Sequence, residues 1–512
     1  MDRRTERSNQ DVSAAENQAG IFSRFVGATM TGGFSRPRFD SDDPFARQAS
    51  YNVFPNLLEF RTAVGADGMP FLDMALQAWY LSRIEEARMG FMRFVFGLTP
   101  EERVNLRLAE RSLSEILADP EDRGLAHYTL RSKGDYLIRM IESGIGRERL
   151  DAVFSGIFER YRFSTIPPAA VAGALRAEGG VDLEELAAGW FESTEMPGYL
   201  FSSPELYKVL DGDRERWQVR LSVSNPEPVD GLFHVAMRQR DLNMGRGRGF
   251  GPVRTVTATM TLGGSFERYI RIGAGRTKEL GFVLDFQPSS IEINTLIARN
   301  LPTLIETEFH GEPELRRKAE PFDGERDLDR QIEPVGPDEI IVDNEDPGFG
   351  FEGGGSKSLL HSLIPRGPSA DDEKYVGMRL WEQTNQWLPT VNAKFWGGYV
   401  RSARYTTGGK GNRTARFTAA IPASGHYDVY YYVNRIEMPW RHRGEDTDYG
   451  KIRLLVSHDD GVDEAEVDLN SAEDGWNFIG SYYISEGGTS VEITNRSGAR
   501  AVIADAARWV RR

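Results

Sequence analysis

The 512-residue chain contains no cysteine. Disulfides, thiolate nucleophiles and cysteine-bound metals are therefore excluded. The compartment stays open, because exported proteins can also lack cysteine. Histidine is scarce too: His127, His234, His310, His361, His426, His442 and His458, no two of them four residues apart. The H-E-x-x-H pattern, which sets two imidazoles and a glutamate base on one helix, is thus absent. No stretch of about 18 apolar residues occurs, so no membrane-spanning helix is predicted. The start, Met1 to Gln10, is polar and has no apolar h-region, which predicts no signal peptide. That leaves a cytoplasmic protein, or a frame that begins inside a longer exported one. P-loop, nucleophile-elbow and dinucleotide patterns are also missing. The sequence therefore offers no catalytic residue, no metal ligand and no cofactor.

Positive charge is in deficit. Lys and Arg total 62 against 77 Asp and Glu, a formal net charge of −15. This disfavours nucleic acid as a partner and favours solubility. The Arg-Gly tract Met244 to Gly251 is a single short copy and reads as a hairpin loop. Asp371-Asp-Glu373 and Asp459-Asp460 hold oxygens that a calcium ion could use, but solvated turns explain them as well.

What is present divides into five stretches, within the roughly three or four domains expected for this length. Residues 1–50 are polar and predict disorder. Residues 51–200 carry a helical period, with Leu72, Leu76, Trp79 and Tyr80 on one face. Thr99-Pro-Glu-Glu102 is a capping box with Pro at the first helical position, predicting a helix through Leu117. Further helices are predicted over Lys133–Ser143, over Leu150–Tyr161 and after the cap Asp182-Leu-Glu-Glu185, and Pro197-Gly198 closes the block.

From 201 to 310 the period becomes alternating. Trp217, Val219, Leu221 and Val223 predict a strand with one buried face. Strands follow at Leu232–Met237, Val253–Leu262, Phe266–Ile272 and Leu280–Asp285, an Ig-like sandwich in sum. Residues 311–372 are acidic and rich in Pro and Gly, which predicts a linker. Residues 373–512 are β-patterned and aromatic. The fold class is multidomain α+β, a helical block followed by two antiparallel β-sandwiches.

Two of these stretches resemble known families. Residues 124–197 are similar to the C-terminal part of the catalytic domain of M1 (gluzincin) aminopeptidases, through Lys133-Gly134, Ile145-Gly146, Tyr161, Gly180-Val-Asp182, Trp190 and Pro197. The family's zinc helix has no counterpart here. Its catalytic Tyr, two residues before the Lys, is replaced by Arg131, with Tyr128 three residues earlier. The resemblance thus implies a peptidase-like block without catalysis, or a fragment whose zinc helix lies upstream or in another chain.

The last 130 residues resemble the golvesin/xanthan-lyase C-terminal domain. The carrying residues are Phe417-Thr-Ala-Ala-Ile-Pro422, Gly425-His-Tyr-Asp-Val-Tyr-Tyr431, Gly475-Trp-Asn-Phe-Ile-Gly480, Tyr482-Tyr483, Ile493-Thr-Asn495 and the run from Ala501 to Trp509. This implies a carbohydrate-binding-like jelly roll and a bacterial envelope or secreted setting, with a polysaccharide or surface glycan as partner. Tyr430 and Tyr432 share one strand face, opposite Tyr431, so one set packs inward. Outward rings with polar rims could stack on a sugar. The candidate ligand-binding residues are Trp440, His442, Arg441, Arg443, Tyr430 and Tyr432, with Trp440 leading.

Overall fold

A computed structural model describes residues 63–64, 72, 74–76, 79, 97–162, 164–239, 264–333, 335–336, 338–353, 374–378, 383–436 and 449–512. The N-terminal disorder, the strand at Val253–Leu262, the Met244–Gly251 loop and Asp371–Glu373 lie outside them.

The helical region opens as its capping box requires. Helix α1 (Pro100–Glu110) starts at Thr99, whose hydroxyl accepts from Glu102 N while the Glu102 carboxylate accepts from Thr99 N. It stops earlier than the period alone predicts, because a second box follows at once. Ser112 and Glu115 exchange the same pair of bonds and start α2 (Leu113–Ala118). Helix α3 (Arg123–Ile145) runs unbroken through Lys133-Gly134, so that pair lies mid-helix and opens nothing. Gly146, at φ +85°, turns the chain into α4 (Arg147–Arg160). Short helices α5 (Pro168–Ala174) and α6 (Leu183–Leu186) follow. Their core joins Leu72, Leu76 and Trp79 to Leu137, Ile141, Phe154 and Leu183. A two-residue parallel pair, β1 (Ala63–Val64) with β2 (Thr165–Ile166), lies beside it.

The middle unit is two antiparallel sheets. One is ordered β10-β9-β6-β7, from β6 (Gly231–Gln239), β7 (Ser265–Ile272), β9 (Pro288–Asn294) and β10 (Leu304–Glu308). The other is ordered β11-β8-β5-β3, from β3 (Leu200–Phe201), β5 (Arg214–Asn225), β8 (Arg276–Leu284) and β11 (Gly324–Leu328), with β4 (Glu205–Asp211) also on β5. Val219, Leu221 and Val223 face the core as their alternation predicts.

The C-terminal unit is built from three sheets. The first is β12-β23-β17-β20, from β12 (Glu339–Asp343), β17 (Gly425–Val433), β20 (Gly475–Ile484) and β23 (Ala506–Arg511). The second is β13-β16-β21-β18-β19, from β13 (Phe349–Glu352), β16 (Thr414–Ile421), β18 (Lys451–His458), β19 (Gly461–Asp468) and β21 (Gly487–Thr494). A three-stranded sheet of β14 (Leu388–Val391), β15 (Ser402–Thr406) and β22 (Val502–Ala504) completes it. Phe417, Tyr427, Tyr431 and Trp509 fill the core.

The acidic stretch read as a linker carries three of these strands. β11 pairs with β8 in the middle unit, whereas β12 pairs with β23 and β13 with β16 in the C-terminal unit. Composition hid them because edge strands tolerate charge on their open side. Backbone pairing and a few side chains hold the stretch: the fully buried Gln218 amide donates to Phe322 O and accepts from Phe322 N.

The three units meet near Leu301, which packs with Leu98, Tyr375 and Val391. Leu301 N donates to Tyr399 O and Arg401 N to Leu301 O. The helical block is tied in by Glu102, fully buried, whose second carboxylate oxygen accepts from Thr303 N at 2.9 Å. One residue thus caps a helix and joins two units. Glu102→Ala removes the acceptor of two partly buried N–H groups, Thr99 and Thr303, and is expected to destabilise the chain by about 2–4 kcal/mol. Glu102→Gln, which keeps an acceptor, should cost less. Chemical denaturation followed by circular dichroism measures both, and equal effects would contradict the joint role.

Candidate functional site

Tyr427, Val429, Tyr431 and Val433 of β17 point into the core, so Tyr430 and Tyr432 point out. A bulge in the neighbouring strand decides what stands beside them. Val429 opposes Gly480, but Tyr430 opposes Phe478, leaving Ile479 as the extra residue. The bulge shifts the alternation by one. Trp476 and Phe478 on one side of it, and Ser481 and Tyr483 on the other, therefore share the outward face, while Tyr482 packs on the core and Ile484 lies in it. Gly480 is required there, because a Cβ would meet the Tyr482 ring and hydroxyl.

The outward face carries rings in register. His426 meets Tyr483 at 5.4 Å, Tyr430 meets Phe478 at 5.6 Å, and Tyr432 meets Trp476 at 5.0 Å, all edge to face. Trp396, from the loop after β14, closes one end with its ring 6.0 Å from Trp476. From His426 to Tyr432 the strip is about 20 Å long at the usual strand rise. Phe478 is 56% exposed and Tyr483 45% exposed. Arg508 of β23 lies on the same face, its guanidinium 4.5 Å from the Tyr430 ring and 4.7 Å from the Trp476 ring. It is paired with Glu339 of β12 at 3.1 Å.

Under the Trp396 end lie two buried acids. Asp505 accepts from Trp396 N and from the Asn434 amide. Burial, followed by the neighbouring Asp343, holds its carboxyl well above the usual carboxylate range. Burial also pushes Asp343 up to about 8. Both carboxyls accept structural hydrogen bonds from the surrounding backbone and side chains.

Of the residues singled out from sequence, Tyr430 and Tyr432 stand together on this strip. Trp440, Arg441, His442 and Arg443 lie outside the described residues. Sequence reasoning missed Trp476, Phe478, Tyr483, Trp396 and Arg508. Gly480 inside an aromatic strand was the available signal, since an interior glycine marks a bulge. No cluster of three or more acidic or histidine side chains able to hold a metal occurs among the described residues. Asp459 instead binds the Ser485 backbone and hydroxyl. In the helical block Lys133 sits 4.9 Å from the Trp190 ring, and desolvation lowers its amine to about 8.

The C-terminal unit is thus an antiparallel β-sandwich with an aromatic outer face. Residues 378–511 match the Golvesin C-terminal domain. No curated protein matches the chain. Among solved structures, a xanthan lyase from Paenibacillus aligns at 16% identity and a TM-score of 0.24, over 61% of this chain and 25% of that one. The catalytic domain of a GH87 α-1,3-glucanase, in complex with tetrasaccharides, aligns at 12% identity and a TM-score of 0.17, over 35% of this chain and 29% of that one. The chain therefore spans under a third of either protein. The aminopeptidase resemblance of residues 124–197 finds no support in these comparisons.

Proposed function

We propose that this chain is a non-catalytic polysaccharide-binding protein, whose C-terminal sandwich holds a sugar chain along the outward strip of β17 and β20. The supporting observation is that strip. Its rings are not needed for the core, which the opposite face of the same strands already fills. Flat apolar rings bordered by hydrogen-bonding groups suit the apolar faces and hydroxyl rims of pyranoses. The Golvesin C-terminal match supports the same reading.

The test is affinity electrophoresis of the full chain in gels containing polysaccharide. Wild type should be retarded. Tyr430→Ala with Phe478→Ala should lose roughly 1–3 kcal/mol of binding, about 5- to 150-fold, with little change in melting temperature because both rings face outward. Retardation equal to wild type would sink the strip as the site.

A further inference from the structure

Resting on that reading, we infer that the strip takes uncharged polysaccharide chains, and that Arg508 selects them by hydrogen bonding while Glu339 keeps its charge from attracting acidic ones. Ile341, Arg508, Tyr430 and Phe478 form one cross-strand row over four strands, so Arg508 stands near the middle of the strip. Its guanidinium is held over the Tyr430 and Trp476 rings. One nitrogen donates to Glu339 Oε1, and the side chain is 18% exposed.

A fixed guanidinium carries five N–H donors. The Glu339 bond uses one of them and Nε is buried, so neither of these is offered to a ligand. The remaining donors can meet hydroxyl and ring oxygens. A carboxylate would be recognised differently, because bidentate pairing draws on the full positive charge. Here that charge is matched at 3.1 Å by Glu339, whose own carboxylate would repel an acidic sugar. At the His426 end the charge is likewise matched within the protein, whereas the Trp396 end keeps one cation in excess. Asp428 pairs with Arg512 at 2.8 Å, and Asp474 pairs with Arg435 at 3.1 Å and Lys394 at 3.6 Å. An acidic chain thus gains little attraction at the centre of the strip or at its His426 end.

The experiment uses the full chain in affinity gels containing barley β-glucan or dextran as neutral probes and alginate or polygalacturonate as acidic ones, at low and high sodium chloride. Wild type should be retarded by a neutral probe at least fivefold more strongly than by either acidic probe, with no loss as salt rises. Glu339→Gln should gain at least fivefold in acidic-probe binding, and salt should abolish that gain by screening. Glu339→Gln with Arg508→Gln keeps the site uncharged and should lose at least fivefold in neutral-probe binding, which isolates the donor role. Wild type that prefers the acidic probes, or whose binding falls with salt, overturns this inference and leaves the glycan reading standing. That arm needs no variant and so does not depend on the substitutions folding. Binding to no polysaccharide overturns both.

Discussion

A fragment that begins at Glu373 is expected to lose the cooperative melt that a fragment beginning at Val335 retains. The first boundary follows composition, and the second follows the strands. Cutting at 373 removes β12 from the edge of the first sheet and β13 from the edge of the second. Five β12 residues pair with β23, from Glu339 opposite Val510 to Asp343 opposite Ala506. Four β13 residues pair with β16. Val342 is buried, Ile340 and Phe349 pack on the same core, and the Phe349 ring lies 5.0 Å from Phe417. Fully burying such side chains stabilises by about 1.5–3 kcal/mol each. Losing them together removes on the order of 4–6 kcal/mol, a large part of the 5–15 typical of a domain. Calorimetry on the two fragments decides it, and equal melting temperatures would mean that β12 and β13 are dispensable.

The second large effect is a dependence on pH. The Asp343 carboxyl is buried beside Asp505, with the exposed Glu345 and Asp346 nearby, and burial raises it to about 8. In the unfolded chain it ionises near 4. Between those values the unfolded state has released its proton and the native state retains it, so this group's contribution to stability falls as pH rises from about 4 to about 8, then levels off. Asp343→Asn keeps an oxygen to accept from Asn344 N but cannot ionise. The variant should match wild type near pH 4 and exceed it by on the order of 2–4 kcal/mol at pH 8.5. Melting curves across that range test this. A difference that does not change with pH, or a variant less stable at pH 8.5, would mean that Asp343 ionises freely in the fold.

Local chemistry was readable where it is self-contained. The Thr99 capping box needs only four residues, and it formed as the spacing requires. The alternation of Phe417, Ala419 and Ile421, and of Tyr427, Val429 and Tyr431, carried through to burial because each strand has one core face. What depends on a distant partner was not readable. Gln218 reads as an outward polar residue, yet it is buried by the return of Phe322 more than 100 residues later. The strands of 324–352 are acidic because they lie at sheet edges, and composition cannot tell an edge strand from a linker. The site was half legible. The sequence put Tyr430 and Tyr432 on one face, but only the fold decides which face is outward. The bulge at Ile479 then brings Phe478, Trp476 and Tyr483 beside them, a consequence of register that no single strand displays.

The most direct test of the account is hydroxyl-radical footprinting of the full chain with and without a retarding polysaccharide. Bound polymer should slow oxidation of Tyr430, Trp476, Phe478 and Tyr483 severalfold, while the buried Tyr431 and Trp509 stay unreactive in both states. Polymer binding that leaves those four rings as reactive as before, with protection confined to Trp440 or to another surface, would contradict the strip as the binding face.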